Sequence, residues 1–317
     1  MSISKTRKGA RWPAPLAELY KNRIEYAMCL PGMLLLLLFN YLPMGALIIA
    51  FKNYKFSEGI LGSAWVSPFY KNIEFFLTSG YAFRVTWNTI FLNICFIASG
   101  LVFEVGLALL LTEIRSKVFV KFAQGISLLP FFVSWIVVSV ITYNLFKKTG
   151  GSLNTLLAAF GIKPVNWYFK PEIWPLIMTL ISRWKSTGYG TVIYLASIAG
   201  IDTEYYEAAQ IDGASRFRQI TSITLPLLTP TILILTLLAI GRIMNADFGM
   251  FFSIVGENPS LYSTVDVIDT FVYRTLRQYG DVGMATAAGL YQSVIAFFLV
   301  LTSNLLVRKY DRSAALF

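Results

Sequence analysis

Six stretches of this chain are too apolar to be elements of an ordinary water-soluble domain. They fall at about residues 26–51, 88–111, 126–146, 173–199, 226–246 and 285–307. An α-helix rises 1.5 Å per residue, so about 20 apolar residues are needed to cross a ~30 Å hydrocarbon core. Each stretch reaches or approaches that length. Composition agrees, because only 14% of the 317 residues are charged, where soluble domains carry about 25%. The fold class expected is an all-α polytopic membrane protein with six transmembrane helices.

Several function classes fall away early. The net charge of +10 raises the question of nucleic acid, but the basic residues flank apolar spans and form no long stripe with interleaved aromatics. No nucleic-acid partner is expected. The chain has no histidine, which removes the commonest general base and metal ligand. A zinc enzyme or a Ser-His-Asp hydrolase is therefore excluded. Cys29 and Cys95 both fall in predicted spans and make no CxxC. The first apolar run is too long and begins too late for a cleavable signal peptide.

Taken in order, residues 1–23 read as a basic cytoplasmic tail. Trp12 and Tyr20 could sit at headgroup level if residues 16–23 form an interfacial helix; a disordered tail is the alternative. The transmembrane domain covers 24–307, and 308–317 is a second tail. Pro31 and Pro43 lie inside the first span, and Pro130 lies near the start of the third. A loop at 112–124 holds Arg115, Lys117 and Lys121. In the outer loop 147–172, Ser152 is a plausible N-cap and Gly161 a plausible C′ residue of a short helix. Six spans put both termini on one side. That side carries 14 Lys and Arg residues against 10 on the other, which favours cytoplasmic termini by the positive-inside rule. The location expected is the bacterial cytoplasmic (inner) membrane, crossed many times.

Between the fourth and fifth spans lies a polar stretch, 202–225. It contains Glu207, Ala208, Ala209, Gln210, Ile211, Asp212 and Gly213, then Ile223, Leu225 and Pro226. Two small alanines allow another surface to approach closely. Gly213 permits a backbone turn that a Cβ resists. Pro226 can begin the next helix, since its missing N–H falls in the first turn.

This pattern resembles the EAA signature of binding-protein-dependent ABC importers. The likeness extends over nearly the whole chain, through Leu42 and Pro43, Asn88 and Thr89, Gly150 and Gly151, Trp184 to Gly188, and 267–270. The chain looks like the LplB-type permease subunits of type I sugar importers, similar to the maltose permease subunits. The resemblance implies the type I importer fold and a set of partners. These are a second permease subunit of a different chain, two ATPase subunits and an extracytoplasmic solute-binding protein. It implies that Glu207 pairs with a basic residue of the ATPase, that Ala208 and Ala209 form the close-packed face, and that Gly213 makes the turn, with Asp212 also in the ATPase-coupling set. It also implies that the outer segment 247–284 meets the binding protein. No GxxxxGK[ST] occurs, so no phosphate-cradling loop is present. No cofactor is expected in this chain, and ATP and Mg would belong to the partner ATPase.

The spans carry a few ions and amides, namely Glu104, Arg183, Lys185, Arg242 and Asn245, with Asp247 beyond. Such residues usually face a bundle interior or a water-filled cavity. On a continuous fifth helix Arg242 would lie ~24 Å past Pro226, in the outer part of the membrane. One reading has Arg242, with Arg183 or Lys185, binding an acidic solute. The other has Arg242 paired with Asp247 or Glu104, or snorkelling outward. Arg183 and Lys185 are two apart and cannot both line one cavity. Trp184, Tyr189, Tyr194, Phe248, Phe251 and Phe252 could stack on sugar rings. LplB-type chains carry a neutral polar residue where this one has Arg242, a departure that leans towards acidic, uronic-acid oligosaccharides. A self-contained pore or secondary transporter is the rival reading; the EAA spacing and the lack of an evident inverted repeat oppose it.

Overall fold

The computed structural model describes residues 21–310. The expected interfacial helix, apart from its last residues, and the extreme carboxyl tail lie outside them. The regular elements of the described residues are all helices, and their only extended pairing is an isolated bridge between Lys52 and Trp65. The helices are α1 (Arg23–Leu36), α2 (Lys71–Thr78), α3 (Tyr81–Thr112), α4 (Lys117–Phe132), α5 (Trp135–Phe146), α6 (Ser152–Ala159), α7 (Trp174–Ala199), α8 (Thr203–Ile211), α9 (Arg216–Ile240), α10 (Phe248–Val255), α11 (Ile268–Arg277) and α12 (Val282–Tyr310).

Four helical stretches are long and apolar enough to cross a membrane: Arg23–Phe51, α3, α9 and α12. The pair α4 and α5 makes a fifth if its 95° bend belongs to one span. Helix α7 has 26 residues, enough length to cross, but it carries Arg183 and Lys185.

Helix α3 runs through all three apolar clusters. Its first half meets α2, α11 and α12 around Phe76, Val85, Ile268 and Phe271. Its middle meets α5, α7 and α10 around Leu92, Trp174, Met178 and Phe251. Its last turns meet α7 and α9 around Val105, Ala108, Tyr194 and Leu228. Full burial of such a side chain contributes about 1.5–3 kcal/mol in water. Within lipid, close packing has to supply the attraction instead.

Several sequence expectations are corrected. Most of the 112–124 loop is helical, because Ser116 caps α4 by accepting a hydrogen bond from the Phe119 N–H. The third span is not straight. It breaks at Val133 and Ser134, where Ser134 caps α5 through the Val137 N–H. Gly151, not Ser152, is the N-cap of α6, while Gly161 is left-handed as expected, with φ 74°. Pro226 does not begin a helix. It sits inside α9, directly after a π-helical turn at Ile220–Thr224. Pro43 likewise follows a π-helical turn at Leu37–Tyr41. A proline ring clashes with the carbonyl four residues back, and the wider turn gives that carbonyl room. Helix α12 begins inside the expected outer segment and continues past 307.

Candidate functional site

The stretch at 202–225 folds as two helices around a glycine. Asp202 caps α8 through the Glu204 N–H, and Ser215 caps the start of α9 through the Arg218 N–H. Between them Gly213 has φ 75°, with open space where a Cβ would stand. Glu207, Ala208 and Asp212 are exposed and Ala209 is half-buried. Ile211 and Phe217 are 87% and 76% exposed. The Tyr206 hydroxyl, 2.9 Å from that of Thr224, ties α8 back onto α9.

The intramembrane cations separate into three environments. Arg183 turns towards α3 and meets Glu104 at 3.2 Å, with Ser182 Oγ accepting at 3.0 Å. Gly100 and Gly190 make room for the pair, since a Cβ at either would collide with Arg183 or Glu104. Lys185 turns the other way. Its Nζ donates to the carbonyls of Pro130, Phe131 and Val133. An ammonium has three donors, so the side chain is fully used in closing the carboxyl end of α4 where the third span breaks. The ring of Trp135 lies 5.1 Å from Lys185 Nζ, and its Nε1 donates to Asp247 Oδ2 at 2.7 Å. Arg183 and Lys185 thus do lie on different faces, and each has a structural partner.

Arg242 is placed differently from the sequence expectation. Helix α9 ends at Ile240, and Arg242 stands in the following turn, exposed, as is Asn245. Arg242 joins none of the ion pairs among the described residues: Glu104 is taken by Arg183, and Asp247 by Trp135 and the Met250 N–H. The turn itself is held firmly. Asn93 donates to the Ile243 carbonyl at 3.0 Å, Gln292 to the Met244 carbonyl at 2.7 Å, and Asp269 accepts the Ala246 N–H at 2.9 Å. Irregular backbone at membrane depth needs such partners. Burial pushes the Asp269 carboxyl above the usual carboxylate range, against the opposing effect of these hydrogen bonds. The sequence reading gave Asn93, Asp269 and Gln292 no role, although Asp269 stands in the family-like stretch 267–270.

Of the aromatic candidates, Tyr194 and Phe251 are buried in the core. Tyr189 is exposed and stacks on Phe131 at 4.5 Å, and Phe248 stacks on Phe252 at 5.1 Å. Trp184 is exposed beside an apolar groove of about 420 Å³ between α5 and α7. The segment 247–284 forms α10 and α11, with α11 ending before the left-handed Gly280.

The described residues form a helical bundle with membrane-length apolar helices and an exposed polar segment at 202–225. Residues 100–312 match the family described as binding-protein-dependent transport system inner membrane component. The chain is 34% identical to the protein LplB of Bacillus subtilis over 305 residues, 96% of this chain and 94% of that one. It is also 34% identical to the polygalacturonan/rhamnogalacturonan transport system permease protein YteP of the same organism, over 93% and 91% of the two chains. A solved bacterial ABC transporter involved in import of the acidic polysaccharide alginate superposes with a TM-score of 0.85 at 31% identity, covering 94% of this chain and 99% of that one. The chain belongs to the binding-protein-dependent transport system inner membrane components, as an ABC permease subunit of LplB type, with the type I importer fold. It is a multi-pass protein of the inner membrane and a transport subunit rather than an enzyme.

Proposed function

We propose that this chain forms half of the translocation path of an ATP-driven importer for acidic, uronic-acid oligosaccharides. The observation that carries the acidic preference is Arg242. It is exposed on a clamped turn without an acid partner, while Arg183 and Lys185 are occupied. A cation left unpaired at such depth is costly unless a cavity or solute receives it. The names of the polygalacturonan permease and the alginate importer support the same class of solute.

The full assembly proposed contains a second permease subunit, two ATPase subunits that hold ATP and Mg, and an extracytoplasmic solute-binding protein. Six spans and cytoplasmic termini fit the placement of the exposed 202–225 segment, where Glu207, Ala208, Ala209, Asp212 and Gly213 would dock in the ATPase. Arg242, Asn245, Tyr189 and Trp184 would face the solute.

The test reconstitutes the complete importer in proteoliposomes and follows uptake of trigalacturonate and of its neutral methyl ester. Arg242→Gln is expected to lower trigalacturonate uptake by about tenfold, the size of one charge-assisted contact. Unchanged acid uptake would remove Arg242 from the path. For coupling, Gly213→Asp is expected to leave an inserted subunit that no longer recovers the ATPase in a mild-detergent pull-down. Recovery of the chain alone even from the unaltered protein would favour a self-contained pore or secondary transporter.

A further inference from the structure

A separate cavity, lined by both polar and apolar groups, lies at the end of the bundle opposite the 202–225 segment. It has about 560 Å³ and is bounded by α5, α10 and the segment around Asn166 and Tyr168. The two helices start together at the Trp135–Asp247 contact and carry its walls away from that point. Along α5 the residues Trp135, Ser139 and Tyr143 recur at every fourth position, with Lys147 following four residues on as the C-cap, so the three helical residues form one stripe on a face of the helix. The stripe leads from the Trp135–Lys185 joint to the cavity, and Ser139, Tyr143 and Lys147 line it. The cavity spans about 12 Å along the helix, from Ser139 to Lys147.

The far wall is a constructed turn. Gly150 is left-handed, with φ 68°, and a Cβ on Gly151 would strike the Lys147 carbonyl. Asn154, which is buried, binds both sides of the turn. Its Nδ2 donates to the carbonyls of Lys148 at 3.0 Å and Val165 at 2.9 Å, and its Oδ1 accepts from the Val165 N–H and Trp167 Nε1. The backbone of the two lysines is thus locked to the Asn166–Tyr168 wall. Their ammonium groups are not: Lys147 Nζ donates only to Asn144 Oδ1, at 2.9 Å, and neither lysine joins an ion pair among the described residues. Tyr143 and Tyr168 pack against each other with ring centroids 6.0 Å apart and planes tilted by 52°. Burial and the neighbouring Tyr143 push the Tyr168 hydroxyl up to about 12, so it remains a donor.

We infer that this cavity is an outer subsite for a carboxylated sugar residue, with Lys147 and Lys148 holding the carboxylate and the Tyr143–Tyr168 pair forming an aromatic wall beside the ring. Two cations on a fixed backbone, an aromatic wall and the amides of Asn166 and Asn258 are the donor set that an anionic pyranose requires. The inference rests on the acidic-oligosaccharide reading above. It adds a place, distant from Arg242, where a longer chain is gripped before it passes inward.

The experiment uses the complete importer with its solute-binding protein in proteoliposomes, supplied with tetragalacturonate or its neutral methyl ester. Lys147→Gln/Lys148→Gln is expected to raise the apparent KM for the acid about tenfold with kcat retained. Lys147→Arg/Lys148→Arg is expected to restore it, and Lys163→Gln, a lysine outside the cavity, to change nothing. An unchanged KM in the double glutamine variant overturns the subsite, while a remaining Arg242→Gln defect keeps the acidic reading. Equal uptake of acid and ester by the unaltered importer overturns the acidic reading itself. A defect equal for acid and ester, and varying with the phosphatidylglycerol content of the vesicle, assigns the cavity to a lipid headgroup and overturns the sugar subsite.

Discussion

Two intramembrane residues show how a charge that reads as functional in sequence becomes structural in space. Arg183 and Glu104 are 79 positions apart, and their side chains are only 12% and 19% exposed. Removing one partner from a buried pair costs about 3–5 kcal/mol, because the other charge is left behind, whereas replacing both is far milder. Arg183→Met is therefore expected to lower the yield of folded, detergent-stable protein sharply, and Arg183→Met with Glu104→Gln to recover much of it. Thermal unfolding of the purified importer checks the pair; an equally damaged double variant would show that the charges do more than neutralise each other. Asp269 poses a different question. Its carboxyl titrates above the ordinary range because it is buried, so its protonated form is favoured by folding. The associated stability is present at low pH and declines as pH rises through the folded-state value. Asp269→Asn, which keeps an acceptor for the Ala246 N–H without the charge, is expected to be tolerated and to flatten that decline. Asp269→Leu removes the acceptor and is expected to cost about 1–3 kcal/mol. Thermal unfolding across mildly acidic to neutral pH separates the two. None of these pairings was visible in the sequence. Glu104 and Arg183 could be recognised as intramembrane ions, but nothing in local pattern says which ion meets which. Arg242 stayed open for the same reason, and Lys185 reads as a cap only once the break in the third span is known.

At the scale of elements, four of the expected apolar runs fall in helices long and apolar enough to cross a membrane and a fifth in the bent α4–α5 pair, since lipid imposes one length and one composition on a span. What the runs could not show was where backbone geometry departs from a straight helix. The break between α4 and α5 turns on Ser134, a cap residue hidden in an apolar run, and the end of α9 at Ile240 lies in a sequence that reads as continuous helix. Gly213 was legible because a left-handed turn leaves glycine as its mark. Its Cβ position is open, so Gly213→Ala bears only the backbone penalty, about 1 kcal/mol, unlike Gly213→Asp, which also puts a charge on the proposed docking face. Gly188 is the reverse case. There the backbone of α7 lies directly on that of α4, and a Cβ would collide with the Ser127 carbonyl. Small residues at such crossings let membrane helices approach closely. Backbone cannot give way as a flexible side chain can, so Gly188→Ala is expected to cost about 1–3 kcal/mol by overpacking. Loss of folded protein in detergent while Gly106→Ala, which meets open space, stays normal would check it.

The whole molecule has one helix that hardly touches the rest. Residues 23–44 bury nothing, and within the first span only Ile49 and Ala50 are buried. Exposure of leucine is no burden in lipid, whose tails are as apolar as the side chain. Asn40 is different. It is exposed in the middle of this apolar run, and its amide has no hydrogen-bond partner among the described residues. A polar side chain in hydrocarbon gains about 0.6–2 kcal/mol from a partner on a neighbouring helix, and the bundle supplies none within reach of Asn40. A second permease subunit, lying along residues 23–44, would. Cys29 lies on the same bare helix and is exposed, which makes it a native reporter. In the isolated chain a membrane-permeant maleimide is expected to label Cys29 readily, and in the assembled importer far more slowly. Asn40→Leu is expected to leave the isolated chain as stable as before, to reduce recovery of the second permease subunit in a mild-detergent pull-down, and to restore rapid labelling of Cys29. Full recovery of the partner from Asn40→Leu, with Cys29 still protected, would show that packing alone holds the two subunits together and that the amide faces lipid.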